Sequence, residues 1–523
     1  MSRVGIFGWG IVAPKAPNIA AFAERLERAE SWLEPFGGFG PDSFLVGRPE
    51  FDFAVYRSWI DARFPPNRFP QLVEKADLPT QYAIGAFIQA LGQNPGLEAE
   101  LVALGQAAHI YVGTGLGALQ TVADNTLRLY RAQRRWNRFW ATPERNSALA
   151  EYLAHPERLD PAVEVPLAPE EASPEAVEEA EDRYWAFWAE RSPELREYLA
   201  ELQEIESLVV DGPVETGKLA LIKEKQRRRQ RLQRKWEAPN PPWHEVSPNL
   251  LWNIHNAPAA QISMLGRIRG LAFAPVAACS TFGVSLKLAM DAIRREEARA
   301  VVVGATDPPP LPLTVGAFYG ARVIAADGQV SQPLTTLRGT HIAGGAAIWI
   351  VGDLDYFRNR GFRPLGMELL AVGVSSDADH IITPSREGPI AAIRQALAGG
   401  GVSPEEVSTW DLHATATPGD FQEVENLREV FPDSIVVTAR KGTFGHGMGA
   451  AGGWELTAQH LAAERGRLFP TPIRESDLNA EIRARHQNFV FDRPVPWHGG
   501  CAGKMSMGVG GINACVLSRP YTD

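Results

Sequence analysis

Three side chains in this sequence have types and settings suited to nucleophilic catalysis: Cys279, His413 and His446. Cys279 lies in Pro275-Val-Ala-Ala-Cys-Ser-Thr-Phe-Gly283, between an apolar strand-like run and a helical pattern that continues to Glu297. This predicts a thiol near a helix N-terminus, where free amides and the macrodipole favour the thiolate. A strand-to-helix turn can also present such a side chain into a cleft. Buried cysteines can equally be inert, so the histidines matter. His413 opens His413-Ala-Thr-Ala-Thr-Pro-Gly-Asp420, directly after the strand-like Thr409-Trp-Asp-Leu412. His446 lies in Lys441-Gly-Thr-Phe-Gly-His-Gly-Met-Gly-Ala-Ala-Gly-Gly453, a glycine-rich turn entering a helix. Either alone reads as structural. Two at glycine-rich strand ends, together with a poised cysteine, form a nucleophile with two imidazole partners.

These side chains need a frame. His109-Ile-Tyr-Val112, Ala300-Val-Val-Val-Gly304, Ala346-Ala-Ile-Trp-Ile-Val351 and Ser434-Ile-Val-Val437 read as strands. Segments 81–91, 281–297 and 390–397 read as helices. Strands alternating with helices predict an α/β fold with parallel or mixed sheets. A stretch at 128–245 breaks that rhythm, being highly charged and helix-rich. It holds an acidic section at 169–182, the cluster Tyr184, Trp185, Phe187 and Trp188, and a basic run at 223–235. Trp136, Trp140, Trp236 and Trp243 also fall within it. Disordered segments are poor in aromatics, so an inserted helical subdomain packed through its tryptophans is expected.

The 523 residues are 45% hydrophobic, ample for a large core. A formal net charge of −10 gives no case for binding nucleic acid or an anionic membrane. Three cysteines, an odd and sparse set, suit a reducing cytosol better than a disulfide framework. The apolar start reads as a first buried strand rather than a signal peptide, and no apolar run approaches the ~20 residues of a membrane span. A cytoplasmic protein is the expectation.

With these motifs in order, the chain resembles the β-ketoacyl-acyl-carrier-protein synthases of the elongating type, in the thiolase superfamily. The resemblance covers most of the chain outside the insert. It runs from Val4-Gly-Ile-Phe-Gly-Trp-Gly-Ile-Val12 through Gly113-Thr-Gly-Leu-Gly117 and the Cys279 segment to Ser375-Ser-Asp-Ala-Asp379. The His413 and His446 motifs follow, then Ser506-Met-Gly-Val-Gly-Gly-Ile-Asn513. It implies a thiolase-type fold of two similar halves in a layered α/β/α/β/α arrangement, 1–353 with the insert and 354–523, with the site where they meet. Cys279 would accept an acyl group as a thioester. His413 and His446 would donate N–H groups to the enolate oxygen left when a malonyl-type extender loses carbon dioxide. The backbone amides of Cys279 and Val509 would form an oxyanion hole. Lys441 would stand beside the second histidine and pair with Glu423. Thr415 and Thr417 would hold the pantetheine arm, though turn threonines also serve local backbone. Met507 and Val509 would line the acyl gate, and Asp420 would be structural support. No metal and no resident cofactor are implied, because phosphopantetheine arrives on an acyl carrier protein or as coenzyme A. The implied partner is the acyl carrier protein. The implied assembly is a homodimer, with a heterodimer as the alternative.

The sequence departs from the family at Ala414, where a glycine is usual, in a loop to Gly419-Asp420 that looks one residue shorter. Met507 and Val509 replace phenylalanines, which predicts a gate admitting an unusual or bulkier chain. Gly344 stands where an acidic residue is usual. The insert, roughly 90 residues beyond ordinary loop lengths, has three readings: a solvated hairpin of paired acidic and basic helices, a dock for an acidic carrier, or an added interface. Rival functions are a thiolase using Cys501 as second cysteine, a chain-initiating synthase using acyl-coenzyme A, and a non-catalytic partner subunit. The Lys441-to-His446 motif argues against the first, and the retained Cys279 and histidines against the last.

Overall fold

The computed structural model describes residues 2–40, 43–210, 214–381 and 383–522. Ten apolar runs form its central sheet: β1 (Val4–Val12), β2 (Ala108–Gly113), β3 (Ala272–Phe273), β4 (Ala300–Asp307) and β5 (Gly345–Asp353), then β6 (Leu365–Ser376), β7 (Val407–Asp411), β8 (Val436–Thr438), β9 (Cys501–Gly508) and β10 (Ile512–Arg519). Strands β1, β4 and β5 are buried along their whole length. Burial on both faces is why they read as continuous apolar runs rather than alternating ones.

The spatial order is β8-β7-β9-β10-β6-β1-β5-β4-β2-β3. From one edge, β3 is parallel to β2 and β2 to β4, while β4 is antiparallel to β5 and β5 to β1. From the other edge, β8 is parallel to β7 and β7 to β9, while β9 is antiparallel to β10 and β10 to β6. The two sets of five repeat one order and one sense. They join where β1 meets β6, at Val4 opposite Leu369 and Ile6 opposite Leu365. These are the two similar halves that the resemblance implied.

Helices complete the layers. α1 (Leu78–Leu91) packs on β1 and β5, and α2 (Ala257–Gly266) lies beside it and on β2. α3 (Thr281–Arg294) packs on β4 and also on β6. α4 (Glu387–Gly400) covers β6 and β10, with α5 (Gly419–Val430) next to it. α6 (Ala451–Arg465) lies beside α3 between the halves and is buried nearly all round, as a middle-layer helix must be. Outer helices approach closely only where glycine permits. A Cβ on Gly10 of β1 would lie 1.9 Å from the Ala86 carbonyl oxygen, and one on Gly373 of β6 would lie 2.0 Å from that of Ala392. The helix expected to reach Glu297 stops at Arg294, and the strand expected from Ser434 begins at Val436.

A separate compact unit spans Thr121–Leu250, slightly wider than the 128–245 read from composition. Its main helices are Leu119–Trp140, Val177–Arg191, Pro193–Glu206 and Val214–Trp236. Tryptophans do form its core. Trp136 and Trp140 pack with Tyr198, Leu202 and Leu232, and Trp188 packs with Tyr152, Tyr184 and Phe187. Trp243 is exposed. The acidic section pairs with the first helix, through Arg134 to Glu181 at 2.7 Å. The basic run pairs with the helix before it, through Lys235 to Glu201 at 2.6 Å and Arg229 Nε to Glu206 at 2.6 Å. Arg227 and Arg228 are paired with Glu224 of their own helix. Much of the positive run is thus neutralised within the unit, but by the helix at Pro193–Glu206 and its own Glu224 rather than by the acidic section, so the acidic and basic stretches are not paired with each other as the hairpin reading expected. Among the described residues, no helix is long and apolar enough to cross a membrane.

Candidate active site

The chemistry-bearing residues sit where strands end. After β3 the chain turns through Ala278, whose φ of 46° is left-handed, and a single 3-10 turn (Ala278–Ser280) delivers Cys279 to the start of α3. The turn is held from both sides. Thr281 Oγ1 donates to the Ala278 carbonyl (2.7 Å) and accepts from the Ala277 amide (3.0 Å). Ser280 Oγ donates towards the carbonyls of Ile512 (2.7 Å) and Ser506 (3.1 Å). The thiol itself is buried, and the backbone amides of Val509 and Cys279 favour its charged form.

His413 follows β7 directly. The loop after it is fastened by α5, two of whose acids accept backbone amides. Glu423 takes those of His413 (2.7 Å) and Ala414 (2.8 Å), and Asp420 takes those of Thr415 (2.8 Å), Ala416 (3.1 Å) and Leu334 (2.9 Å). Thr415 and Thr417 hydroxyls lie 3.0 Å apart at the cavity wall. His446 is set by two backbone bonds, its amide to the His341 carbonyl (2.6 Å) and its carbonyl from the Ala343 amide (2.8 Å). The two imidazoles stand 5.3 Å apart at 82°.

The expected partner of Lys441 needs correction. Lys441 does not pair with Glu423. Its Nζ lies 2.7 Å from Glu455 Oε1, on α6, while Glu423 is occupied with loop amides. The same Nζ donates to the His413 carbonyl and meets His413 Nδ1 at 3.4 Å. A lysine ammonium has no acceptor, so the Nδ1 facing it carries the lone pair and Nε2 carries the proton. Behind Lys441 lies a buried charge cluster: Lys504 Nζ is 2.8 Å from Glu455 Oε2 and 3.6 Å from Asp411 Oδ1, and Arg440 Nε is 3.3 Å from Asp411 Oδ2. Three cations face two carboxylates, a local excess of positive charge.

Burial and this charge set the protonation states. Burial, then Lys441, pushes both His413 and His446 well below the ordinary histidine value, so both are neutral N–H donors rather than cations. Burial raises the Cys279 thiol to about 11, against the opposing pull of Lys441 and the Val509 amide. The helix start therefore does not make a standing thiolate; desolvation outweighs it. Burial also lifts Glu423 to about 7 and Asp420 to about 6.

Cys279, His413, His446, Thr415, Thr417, Asp420, Glu423, Met507 and Val509 all line one cavity of about 110 Å³. Lys441 lies behind the His413 ring and outside that lining. Val509 is half exposed while Met507 is buried, so the two positions face different surroundings. Gly344 has a steric explanation. A Cβ there would lie 2.0 Å from the Pro308 carbonyl oxygen, leaving no room for an acidic side chain. Among the described residues no group of three or more His, Cys, Asp or Glu is placed to hold a metal ion.

Sequence reasoning missed Glu455, Lys504, Asp411, Arg440 and Asp307. Asp307, at the end of β4, is buried and accepts from Thr114 Oγ1 (3.1 Å) and the amides of Gly115 (2.9 Å), Leu116 (2.7 Å) and Gly449 (2.8 Å). It thereby fastens the Gly113-to-Gly117 motif to the loop after His446. The available signal was a lone charge within an apolar element, as in Cys501-Ala-Gly-Lys-Met-Ser-Met507 or Thr409-Trp-Asp-Leu412.

Two sets of five strands around a two-helix middle layer, with a cysteine and two histidines in the turns that follow strands, define a thiolase-type fold. Solved structures agree. The ishigamide ketosynthase/chain length factor aligns over 100% of both chains with a TM-score of 0.69 at 20% identity. A β-ketoacyl synthase from Burkholderia phymatum aligns over 100% of both chains with a TM-score of 0.66 at 14% identity. Family models for the β-ketoacyl synthase N-terminal and C-terminal domains match residues 222–355 and 367–473, in that order. The chain is thus similar to the β-ketoacyl synthases over these two stretches. It is similar to Nodulation protein E of Rhizobium meliloti, at 31% identity over 233 residues, 43% of this chain and 57% of that protein. It is also similar to the chloroplastic 3-oxoacyl-[acyl-carrier-protein] synthase I of Arabidopsis thaliana, at 32% over 237 residues, 43% of this chain and 50% of that one. The chain thus spans about half the length of these relatives.

Proposed function

We propose that this protein is a β-ketoacyl synthase, joining an acyl group held on Cys279 to a malonyl-type thioester by decarboxylative Claisen condensation. The convergence of Cys279, His413 and His446 on one cavity carries this reading. The domains are then 1–353, with the inserted helices, and 354–523.

In the first half-reaction the Cys279 sulfur attacks the incoming thioester, and its proton leaves with the displaced pantetheine thiol. The thiol is neutral at rest, so the Lys441 field and the Val509 amide act where charge develops. In the second, the extender's carboxylate departs as carbon dioxide and its electron pair becomes an enolate. The N–H groups of His413 and His446 meet that oxygen. Neutral imidazoles suit the task, because each keeps a donor without transferring its proton. The carbanion attacks the acyl-cysteine carbonyl. The amides of Cys279 and Val509 hold the tetrahedral oxygen, and collapse releases the β-ketoacyl thioester and the Cys279 thiolate, which regains a proton. Thr415 and Thr417 would hold the pantetheine arm, with Met507 and Val509 shaping the acyl entrance.

The expected partner is an acyl carrier protein, by likeness to a type II polyketide ketosynthase solved in complex with its acyl-carrier protein (TM-score 0.65, 15% identity). Pairing with a second subunit, identical or not, and a cytoplasmic setting complete the proposal. The test is intact-mass measurement after incubation with acyl-carrier and acyl-coenzyme A donors. A mass gain absent from Cys279→Ala supports the reading and identifies acyl group and donor. No gain with any donor would favour a partner-dependent or non-catalytic role. A straight-chain preference like that of ordinary synthases would overturn the altered gate.

A further inference from the structure

Lys504 stands mid-strand in β9 with its whole side chain buried. Burying an ammonium costs several kcal/mol unless every donor is answered, and an apolar side chain of similar size often serves stability as well. Its partners therefore show what it is for. An ammonium has three donors. Those of Lys504 face the Leu412 carbonyl at 3.2 Å, the Met505 carbonyl, and Glu455 Oε2 at 2.8 Å, with Asp411 Oδ1 beyond at 3.6 Å. Burial works against the cation, yet Glu455 and Asp411 outweigh it and hold its pKa above the usual lysine value.

Two of these partners lead to one place. Leu412 immediately precedes His413, so its carbonyl fixes the peptide on which the imidazole is mounted. Glu455 uses its other oxygen to hold Lys441, which meets His413 Nδ1. Lys504 itself does not line the cavity. We propose that Lys504 is a positioning residue: its ammonium fixes both the backbone that carries His413 and the Glu455–Lys441 pair that sets the ring's tautomer. This rests on the condensation reading, and it assigns Lys504 to the decarboxylation half of the reaction and not to acyl loading.

The test separates those halves in the full-length protein. Lys504→Met removes the cation, and Lys504→Met/Asp411→Asn removes one charge of each sign, which keeps the cluster's net charge as in the wild type. Lys504→Arg keeps the charge but misplaces the donors. Each is measured for unfolding temperature, for acylation of Cys279 by intact mass, and for decarboxylation of malonyl-carrier protein. Every variant that folds should acylate within about twofold of wild type and lose decarboxylation by about 10- to 100-fold in kcat, with KM nearly unchanged. Adding Lys441→Met to Lys504→Met should cost less than the product of the single losses, because both act through His413. Wild-type decarboxylation in any folded Lys504 variant, or equal loss of both half-reactions, would overturn the proposal. A wild-type protein that loads acyl groups but never decarboxylates the extender would instead count against the condensation reading.

Discussion

The two halves share one strand plan but not one chemistry. β3 leads into α3 and β8 into α6; the first connection carries Cys279 and the second carries Lys441 and His446. The end of β2 gives Thr114 where the end of β7 gives His413, and the end of β4 gives Asp307 where β9 gives Val509. The first half contributes Cys279, the proposed nucleophile, and one buried acid that fastens loops. The second contributes both imidazoles and the buried Lys441, Lys504, Arg440, Asp411 and Glu455 cluster. A repeated scaffold fixes where side chains can meet, and on the proposed reading side-chain type alone decides which half attacks and which stabilises charge. The halves also differ in the crossover after their second strand. It is short between β7 and β8, through α5, but holds the whole Thr121–Leu250 unit between β2 and β3.

Several measurements would break or sharpen this division. The largest effect is expected for Cys279→Ala, which should abolish the acyl-enzyme mass and lower condensation by more than ~10³-fold; residual loading elsewhere would remove the nucleophile from the first half. Lys441→Met should lower malonyl-carrier decarboxylation by about 10²-fold while acylation changes far less. Equal losses in both steps would mean that the second half is not specialised for the enolate.

The thiol gives a pH test. With the Cys279 pKa near 11, the thiolate is a minor species at neutral pH and grows as pH rises. Iodoacetamide alkylation of Cys279 should therefore accelerate about tenfold per pH unit between 7 and 10 without a plateau. A plateau below pH 8 would mean a standing thiolate. Removing the Lys441 charge should slow alkylation further at each pH, because that cation pulls the thiol pKa down.

Asp307→Asn should lower stability by about 2–4 kcal/mol, read by denaturant unfolding, since an amide cannot accept all four of its donors. A smaller loss would mean that the halves are not fastened there. The smallest effect is expected in the insert. Charge reversal at Arg227, Arg228 and Arg229 should leave carrier-protein binding at low salt within about twofold, because these side chains already have acidic partners in their own unit. A large drop would make the insert a carrier dock.

The sequence by itself determined the alternation of strands and helices, the turn that carries Cys279, the two histidine loops and the helical insert with its tryptophan core. Each is written in neighbouring residues: periodicity, glycine-rich turns and aromatic clusters act over one element. Only the tertiary structure decided which acid holds Lys441, because Glu423 and Glu455 are both within reach of a sequence argument and only packing turns one towards the loop amides and the other towards the ammonium. It also decided that Lys504 and Asp307 lie wholly inside, and that Cys279 rests as a thiol. Burial and ion pairing join residues far apart in the chain, so their sign follows from what folding brings alongside them.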